Sequence, residues 1–170
     1  MSKIELLAPA GSREALQAAV ENGADAVYFG GQVFNARQNA ANFTIAEINE
    51  SLAYLHSKNR QGFITLNTLI ANHETVDLLE YVYDIAQAGV DGVIVQDLGV
   101  VQLLRETLPE LPIHASTQMA VHNLQGVKYL QDLGLKRVVL AREMSLAEIK
   151  EITNKCDVEI ETFVHGALCI

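Results

Sequence analysis

Short apolar runs alternate with amphipathic stretches along the whole chain of 170 residues. The apolar runs have the length and the branched or aromatic content of buried parallel strands, and the stretches between them carry apolar residues at helical spacing. The pattern therefore predicts strands that alternate with helices. The predicted strands are IELLA, AVYFG, GFITLN, GVIVQ, PIHAS, RVVLA and EIETFV, which begin at residues 4, 26, 62, 92, 112, 137 and 159.

Several helix boundaries can be predicted from residue type. Ser12 is placed as the N-cap of one helix, and Thr44 with Glu47 forms a capping box at the start of another. Three helix ends share a glycine, then a charged turn residue, then a strand, and the glycine is expected in the left-handed conformation. These junctions are NGADAV, AGVDGV and LGLKRV, which begin at residues 22, 88 and 133.

The position of polar residues selects one fold from two. Strand and helix alternation fits an open doubly wound sheet or a (β/α)8 barrel, but here polar residues follow nearly every strand, as the loops of a barrel enzyme require. We predict an α/β fold of the (β/α)8 TIM-barrel type. A barrel closes with about eight strands, so residues 1–170 are expected to form a single incomplete TIM-barrel domain. The open seam would favour a homodimer.

Composition narrows the class of protein. With 49% hydrophobic residues the chain can bury one sizeable core. No apolar run is long enough to span a membrane and no leader is recognisable, so we expect a cytoplasmic protein with no membrane partner. Two cysteines are too few for a disulfide framework. The net charge of -9 predicts a poor nucleic-acid binder, so RNA would be bound only through regions outside this chain.

The last predicted strand carries the sharpest candidate site. Alternation places Glu159, Glu161, Phe163 and His165 on one face, which we expect to point into the barrel while the branched residues face the helices. A carboxylate and an imidazole buried there need hydrogen bonds or a ligand. We favour a functional His165 over a structural histidine, and leave both readings open for Glu161.

Other strand ends supply candidate binding residues. His114, Ser116 and Gln118 share a face of the fifth strand, but residues two apart stand about 6.5 Å from each other, too far for a base and nucleophile pair. We therefore interpret them as substrate-binding residues that line a cavity, together with Arg37 and Asn67. The sequence contains no Gly-x-Ser-x-Gly and no His-Glu-x-x-His motif.

Arg142 and Glu143 follow the sixth strand. The arginine could hold a substrate carboxylate or phosphate, or the two could form a mutual ion pair at a helix start. We class Arg142, Glu143 and His165 as candidate catalytic residues. Cys156 precedes the seventh strand, at the end of a barrel that contributes to stability, and is interpreted as structural.

Sequence blocks at these strand ends carry a family resemblance. In order, they are ELLAPAGS, NGADAVYFGG, NF, TLNT, DGVIVQD, PIHASTQ, RVVLARE and ETFVHGALC, the last ending at Cys169. In these blocks the chain closely resembles the collagenase-like peptidase U32 family along its full length. The resemblance implies a barrel-type domain, and the final block resembles the start of the family's signature, which continues beyond Cys169.

The resemblance implies two competing activities. Some family members were described as proteases acting on collagen-like substrates. Others take part in oxygen-independent hydroxylation of RNA bases or of a quinone precursor, with an iron-sulfur cluster on cysteines of the signature and prephenate implicated as the oxygen source. By the resemblance, Cys169 would be the first metal ligand of a cluster in the full-length parent. No cluster is expected in this fragment, because such clusters want about four thiolates.

Three functions therefore remain open. By family name the interpretation is a peptidase whose fragment is inactive alone, with a protein, peptide or small-molecule substrate. By chemistry we favour the hydroxylation of RNA bases or a quinone precursor by the parent protein, and a noncatalytic binding module is the third alternative. A mononuclear zinc or iron held by His165, Cys169 and either His114 or Glu161 is a further hypothesis.

Overall fold

A computed structural model describes residues 4–36 and 42–166. In these ranges strands alternate with helices, as the hydrophobic pattern predicts. The elements are β1 (Leu7–Pro9), α1 (Arg13–Glu21), β2 (Ala26–Gly30), α2 (Ile45–Ser57), β3 (Gln61–Leu66), α3 (Thr75–Gln87), β4 (Gly92–Val95), α4 (Leu98–Thr107), β5 (Ile113–Ala115), α5 (Leu124–Asp132), β6 (Arg137–Val139), α6 (Leu146–Thr153) and β7 (Glu159–Glu161). Short 3-10 turns cover Asn72–Glu74 and Thr117–Met119.

The strand order in the sheet follows the chain from β1 to β7. Pairing is parallel between β1 and β2, β2 and β3, β5 and β6, and β6 and β7. Parallel neighbours need a crossover connection, and the helices between consecutive strands provide it. Among β1 to β3, and likewise among β5 to β7, the carboxyl ends of the strands consequently lie at one edge of the sheet. The polar loops follow these ends.

The predicted helix boundaries are confirmed. The Ser12 hydroxyl accepts a hydrogen bond from the Ala15 backbone N–H at 3.2 Å, and Thr44 forms the predicted capping box at the start of α2. The glycines of the three junctions, at positions 23, 89 and 134, have φ of 96°, 83° and 81°. Glycine adopts this left-handed conformation without steric cost, so the repeated junction is a repeated helix end.

The chain divides into two compact units, Met1–Val93 and Ile94–Ile170. In the first unit the core lies between the strands and the helices that follow them, and Leu16, Phe29, Ile48, Leu52 and Ile64 are almost fully buried. The acidic residues of the first two junctions hold backbone N–H groups in or next to a neighbouring strand. Asp25 accepts from the Leu6 N–H at 3.1 Å, and Asp91 accepts from the Gly62 N–H at 2.7 Å.

The second unit has an apolar core and a charged layer where its strands begin. Leu104, Ile113, Val127, Val138 and Leu140 are buried in the core. Arg137, the first residue of β6, lies 2.7 Å from a Glu159 carboxylate oxygen and 3.5 Å from one of Glu161. None of the helices in the two described ranges combines the length and apolar character needed to span a membrane.

The last strand is shorter than predicted. It ends at Glu161, so the expected alternation up to His165 does not occur. Glu159 and Glu161 do share a side, because both contact Arg137. The branched residues beyond the strand were wrongly predicted to pack on the helices, since Val164 is 90% exposed. Backbone alternation places side chains only where the backbone stays extended.

Candidate functional site

In the first unit, the strand ends carry a network of amide and hydroxyl groups. Asn35 is buried, and its Nδ2 donates to the Asn42 Oδ1 at 2.8 Å and to the Gly31 carbonyl at 3.5 Å. The Thr65 hydroxyl donates to the Asn35 Oδ1 at 3.4 Å. None of these three residues was predicted as a site residue, although Asn42 and Thr65 belong to family blocks and Asn35 lies in the loop after the second predicted strand.

Asn67 joins this network from the end of β3. Its Oδ1 accepts a hydrogen bond from the Ala36 backbone N–H at 3.1 Å, and the residue is half-buried. The Asn67 side chain therefore holds the loop that follows β2. Asn67 was predicted to bind substrate, and the contact seen here is with the loop. Arg37, predicted to bind substrate as well, lies outside the described residues.

Two glycines at the end of β2 allow close approach of side chains. A Cβ on Gly30 would lie 2.0 Å from the Asn35 Nδ2, and a Cβ on Gly31 would lie 1.8 Å from the Tyr81 hydroxyl. That hydroxyl is buried and has no hydrogen-bond partner among the described residues, and burial raises the pKa of Tyr81. The Gly30-Gly31 pair therefore makes room for neighbouring side chains, which agrees with treating it as turn chemistry.

In the second unit, His114 is buried with 2% exposure. Burial, with the neighbouring Arg137 as the second cause, lowers the pKa of His114 to about 3, so the imidazole is neutral near pH 7. His114 pairs in register with Arg137, the first residue of β6. The charged residues that act on its pKa are Arg137, Glu159 and Lys136, which lie at or just before the amino ends of β6 and β7. The role of His114 in substrate binding stays a prediction.

Ser116 and Gln118 lie at the carboxyl end of β5. The Ser116 hydroxyl is buried and accepts from the Gln118 backbone N–H at 3.2 Å, so it caps the short turn that follows the strand. Gln118 itself is exposed. Thr117 donates to the Leu140 carbonyl at 3.3 Å, which ties this turn to the end of β6. The structure gives Ser116 a structural contact, and leaves the side chain of Gln118 accessible.

Arg142 forms the clearest side-chain arrangement at the strand ends of this unit. Its guanidinium carbon lies 3.8 Å from the centre of the Phe163 ring. A Cβ on Gly166 would lie 3.6 Å from the Arg142 Nη1. Within the described part of the chain, Arg142 Nε and Nη1 are buried and find no acceptor, and the alternative of an ion pair with Glu143 is not formed. Glu143 is exposed.

The remaining candidates lie after β7 or before it. His165 is exposed at the carboxyl side of the strand, and Cys169 is outside the described residues. Cys156 is half-buried before β7, where burial and the neighbouring Asp157 raise the pKa of its thiol. Residues 4–36 and 42–166 contain no group of three or more His, Cys, Asp or Glu side chains suited to a metal ion.

Comparison with known proteins assigns the family. Residues 11–170 match the profile of Peptidase family U32. The chain belongs to this family. The U32 chain is 45% identical over 169 residues to the tRNA hydroxylation protein P1 of Bacillus subtilis, covering 99% of this chain and 40% of that protein. It is 40% identical over 168 residues to the 23S rRNA 5-hydroxycytidine C2501 synthase of Escherichia coli, covering 99% of this chain and 25% of that protein.

A third relative is named as a protease, and a solved structure has a similar fold. The U32 chain is 42% identical over 176 residues to an uncharacterized protease of Methanocaldococcus jannaschii, covering all of this chain and 42% of that protein. The chain therefore spans between a quarter and about two fifths of these relatives. The solved structure of the U32 peptidase Mk0906 is similar with a TM-score of 0.78 at 18% identity, covering 95% of this chain and 69% of that chain. The predicted TIM-barrel type of α/β fold is confirmed.

Proposed function

We propose that the U32 chain is part of a protein that hydroxylates bases of tRNA or rRNA. The observation that carries this proposal is the identity of 45% and 40%, over nearly the whole chain, to proteins named for tRNA hydroxylation and for 5-hydroxycytidine synthesis in 23S rRNA. Because the chain covers less than half of either protein, the activity is proposed for the whole protein and not for these residues alone.

Peptidase activity is supported by the family name and by the relative from Methanocaldococcus jannaschii. The described residues offer it little chemistry. A serine nucleophile needs a base within hydrogen-bond reach. Ser116 instead caps a turn, and His114 is buried beside Arg137 with a pKa lowered to about 3, which makes it a poor base near pH 7. We therefore favour the hydroxylation reading.

The residues described here do not by themselves fit an iron-sulfur cluster. Such a cluster wants about four thiolates. The chain has two cysteines, and Cys156 lies before β7 while Cys169 follows it. We propose Cys169 as one ligand of a cluster completed by residues beyond this chain, and route no reaction step through it.

We propose functional residues from their position after the carboxyl ends of the strands. Arg142, Glu143 and His165 all follow the carboxyl ends of β6 and β7, where barrel enzymes carry their sites. Gln118 presents an accessible amide after β5. With a net charge of -9 the chain itself repels a phosphate backbone, so we propose that RNA is held by other parts of the protein.

The test is the hydroxylated-nucleoside content of cellular RNA. The gene that encodes the complete protein is deleted, and nucleosides from purified tRNA and rRNA are quantified by mass spectrometry. We expect one hydroxylated nucleoside to disappear and to return when the gene is restored. In parallel, the purified complete protein is assayed for gelatin cleavage. Unchanged RNA together with gelatin cleavage would reverse our preference in favour of a peptidase.

A further inference from the structure

We propose that Arg142, stacked on Phe163 after the carboxyl ends of β6 and β7, is the anchor of a binding site for an oxyanion, a carboxylate or phosphate group of a small ligand. The residues come from two neighbouring strand ends of one unit. The inference stands on their geometry and does not depend on the reaction proposed above.

The backbone around Arg142 is fixed before the side chain is considered. The Leu140 N–H donates to the Glu161 carbonyl at 3.0 Å, and the Ala141 N–H donates to the Val121 carbonyl at 2.9 Å. Leu140 also accepts from the Thr117 hydroxyl. These bonds join the end of β6 to β7 and to the loop after β5, so Arg142 leaves a rigid part of the unit. A rigid support is what an anion-binding group needs.

The side chain is oriented by its ring contact. The 3.8 Å separation between the Arg142 guanidinium carbon and the Phe163 ring centre is a cation–π stack. Stacking occupies a face of the planar guanidinium and does not use the N–H groups at its edge, which are the donors that pair with carboxylate or phosphate oxygens. Phe163 therefore orients the donors without using them.

Two of the Arg142 donors have no acceptor among the described residues. Arg142 Nε and Nη1 are buried, and residues 4–36 and 42–166 supply neither of them with a hydrogen bond. Burying a charged donor without a partner is unfavourable, so buried arginines are normally paired. Two carboxylates that could have served are engaged elsewhere or point outward: Glu161 contacts Arg137, and Glu143 is exposed. An anionic ligand would satisfy the unpaired nitrogens.

Access to these nitrogens involves the segment after β7. Gly166 has φ of 122°, a conformation that favours glycine, and a Cβ on it would lie 3.6 Å from the Arg142 Nη1. Because Nε and Nη1 are buried and Phe163 and Gly166 lie next to the guanidinium, we expect an anion that accepts from these nitrogens to shift this segment. Ligand binding is therefore expected to change the amide hydrogen exchange of residues 162–166.

The test measures anion affinity of the complete protein by titration calorimetry. The probes are oxalate and inorganic phosphate, used separately so that carboxylate and phosphate ligands are distinguished. Arg142→Gln removes the charge, Arg142→Lys keeps the charge and loses the planar fork, and Arg13→Gln is the matched control. Arg13 is an exposed arginine that pairs with Glu50 in the other unit.

We expect at least one probe to bind the unmodified protein and Arg142→Gln to weaken it by about tenfold or more, as loss of a charge-assisted pair predicts. The affinity of Arg142→Lys is expected to lie between those of the unmodified protein and Arg142→Gln. Arg13→Gln is expected to leave the affinity unchanged. The proposal is overturned if neither probe binds, if Arg142→Gln binds as the unmodified protein does, or if Arg13→Gln weakens binding equally.

A second variant covers the case in which Arg142→Gln does not fold, as judged by circular dichroism. Phe163→Leu keeps the arginine and removes the ring that orients it, so the same probe is expected to bind more weakly. Unchanged affinity in Phe163→Leu would contradict the stacked site. A loss of thermal stability in Arg142→Gln with no change in affinity would show that Arg142 holds the segment after β7 instead, and would overturn the proposal.

Discussion

Buried His114 makes the stability of the fold depend on pH in a window that can be calculated. Its pKa is lowered from 6.5 to about 3 by burial, with Arg137 as the second cause. The unfolded chain therefore binds a proton below pH 6.5 that the folded chain does not bind until about pH 3. Stability consequently falls as the pH decreases through this window, because protons favour the state that binds more of them.

The magnitude follows from the same two values. Each pKa unit corresponds to about 1.4 kcal/mol, so moving from pH 7 to pH 5 costs about 2 kcal/mol of unfolding free energy from His114 alone. Glu159 affects stability at lower pH. Burial raises its pKa, but Arg137 and Lys136 lower it more, so the net pKa is lowered. The stability that ionised Glu159 contributes is therefore lost as the pH falls through this lowered pKa, below pH 5. The window between pH 5 and 7 thus reports mainly His114.

The assay is urea unfolding at pH 7, 6 and 5, followed by circular dichroism. His114→Gln keeps a polar side chain and removes the titration, so its unfolding free energy should change by about 2 kcal/mol less over this range than that of the unmodified protein. His73→Gln changes an exposed histidine and is the control. Equal pH slopes for the unmodified protein and His114→Gln would refute the reasoning.

Two further predictions concern local packing. Gly31→Ala places a Cβ against the Tyr81 hydroxyl and is expected to lower the free energy of unfolding in urea by about 1–3 kcal/mol. Gly11→Ala is the control, because no atom lies within 4 Å of its Cβ and stability should change little. Equal losses in the two variants would contradict the close approach. Thr44→Ala removes a capping hydroxyl and should lower the free energy of unfolding by about 1 kcal/mol. The loss should be larger than that of Thr153→Ala, whose hydroxyl bonds only within its own helix. A smaller loss for Thr44→Ala than for Thr153→Ala would contradict the capping box.

The fold could be predicted because its determinants are local. Apolar runs, the capping box at Thr44 and the three junction glycines each act within a few residues, and all were confirmed. The length of β7 could not be predicted in this way. The segment EIETFV alternates as a strand should, but parallel pairing stops at Glu161, and that depends on the neighbouring strand β6 and not on the segment itself.

The site was predicted less completely because it depends on distant residues. Arg142 was identified from its place after a strand, but its stacking on Phe163 arises from the loop after another strand. His114 was predicted to line a substrate cavity because it shares a face of its strand with Ser116 and Gln118. The register that pairs it with Arg137 sets its actual surroundings, and a register between strands is not visible in either segment alone.

The account rests on the claim that function resides at the carboxyl ends of β6 and β7. The most direct measurement is the hydroxylated-nucleoside content of RNA from a deletion strain that carries Arg142→Gln or Arg13→Gln in the complete gene, with protein levels matched by immunoblot. We predict that Arg13→Gln restores the nucleoside and that Arg142→Gln does not. Full restoration by Arg142→Gln would contradict the claim.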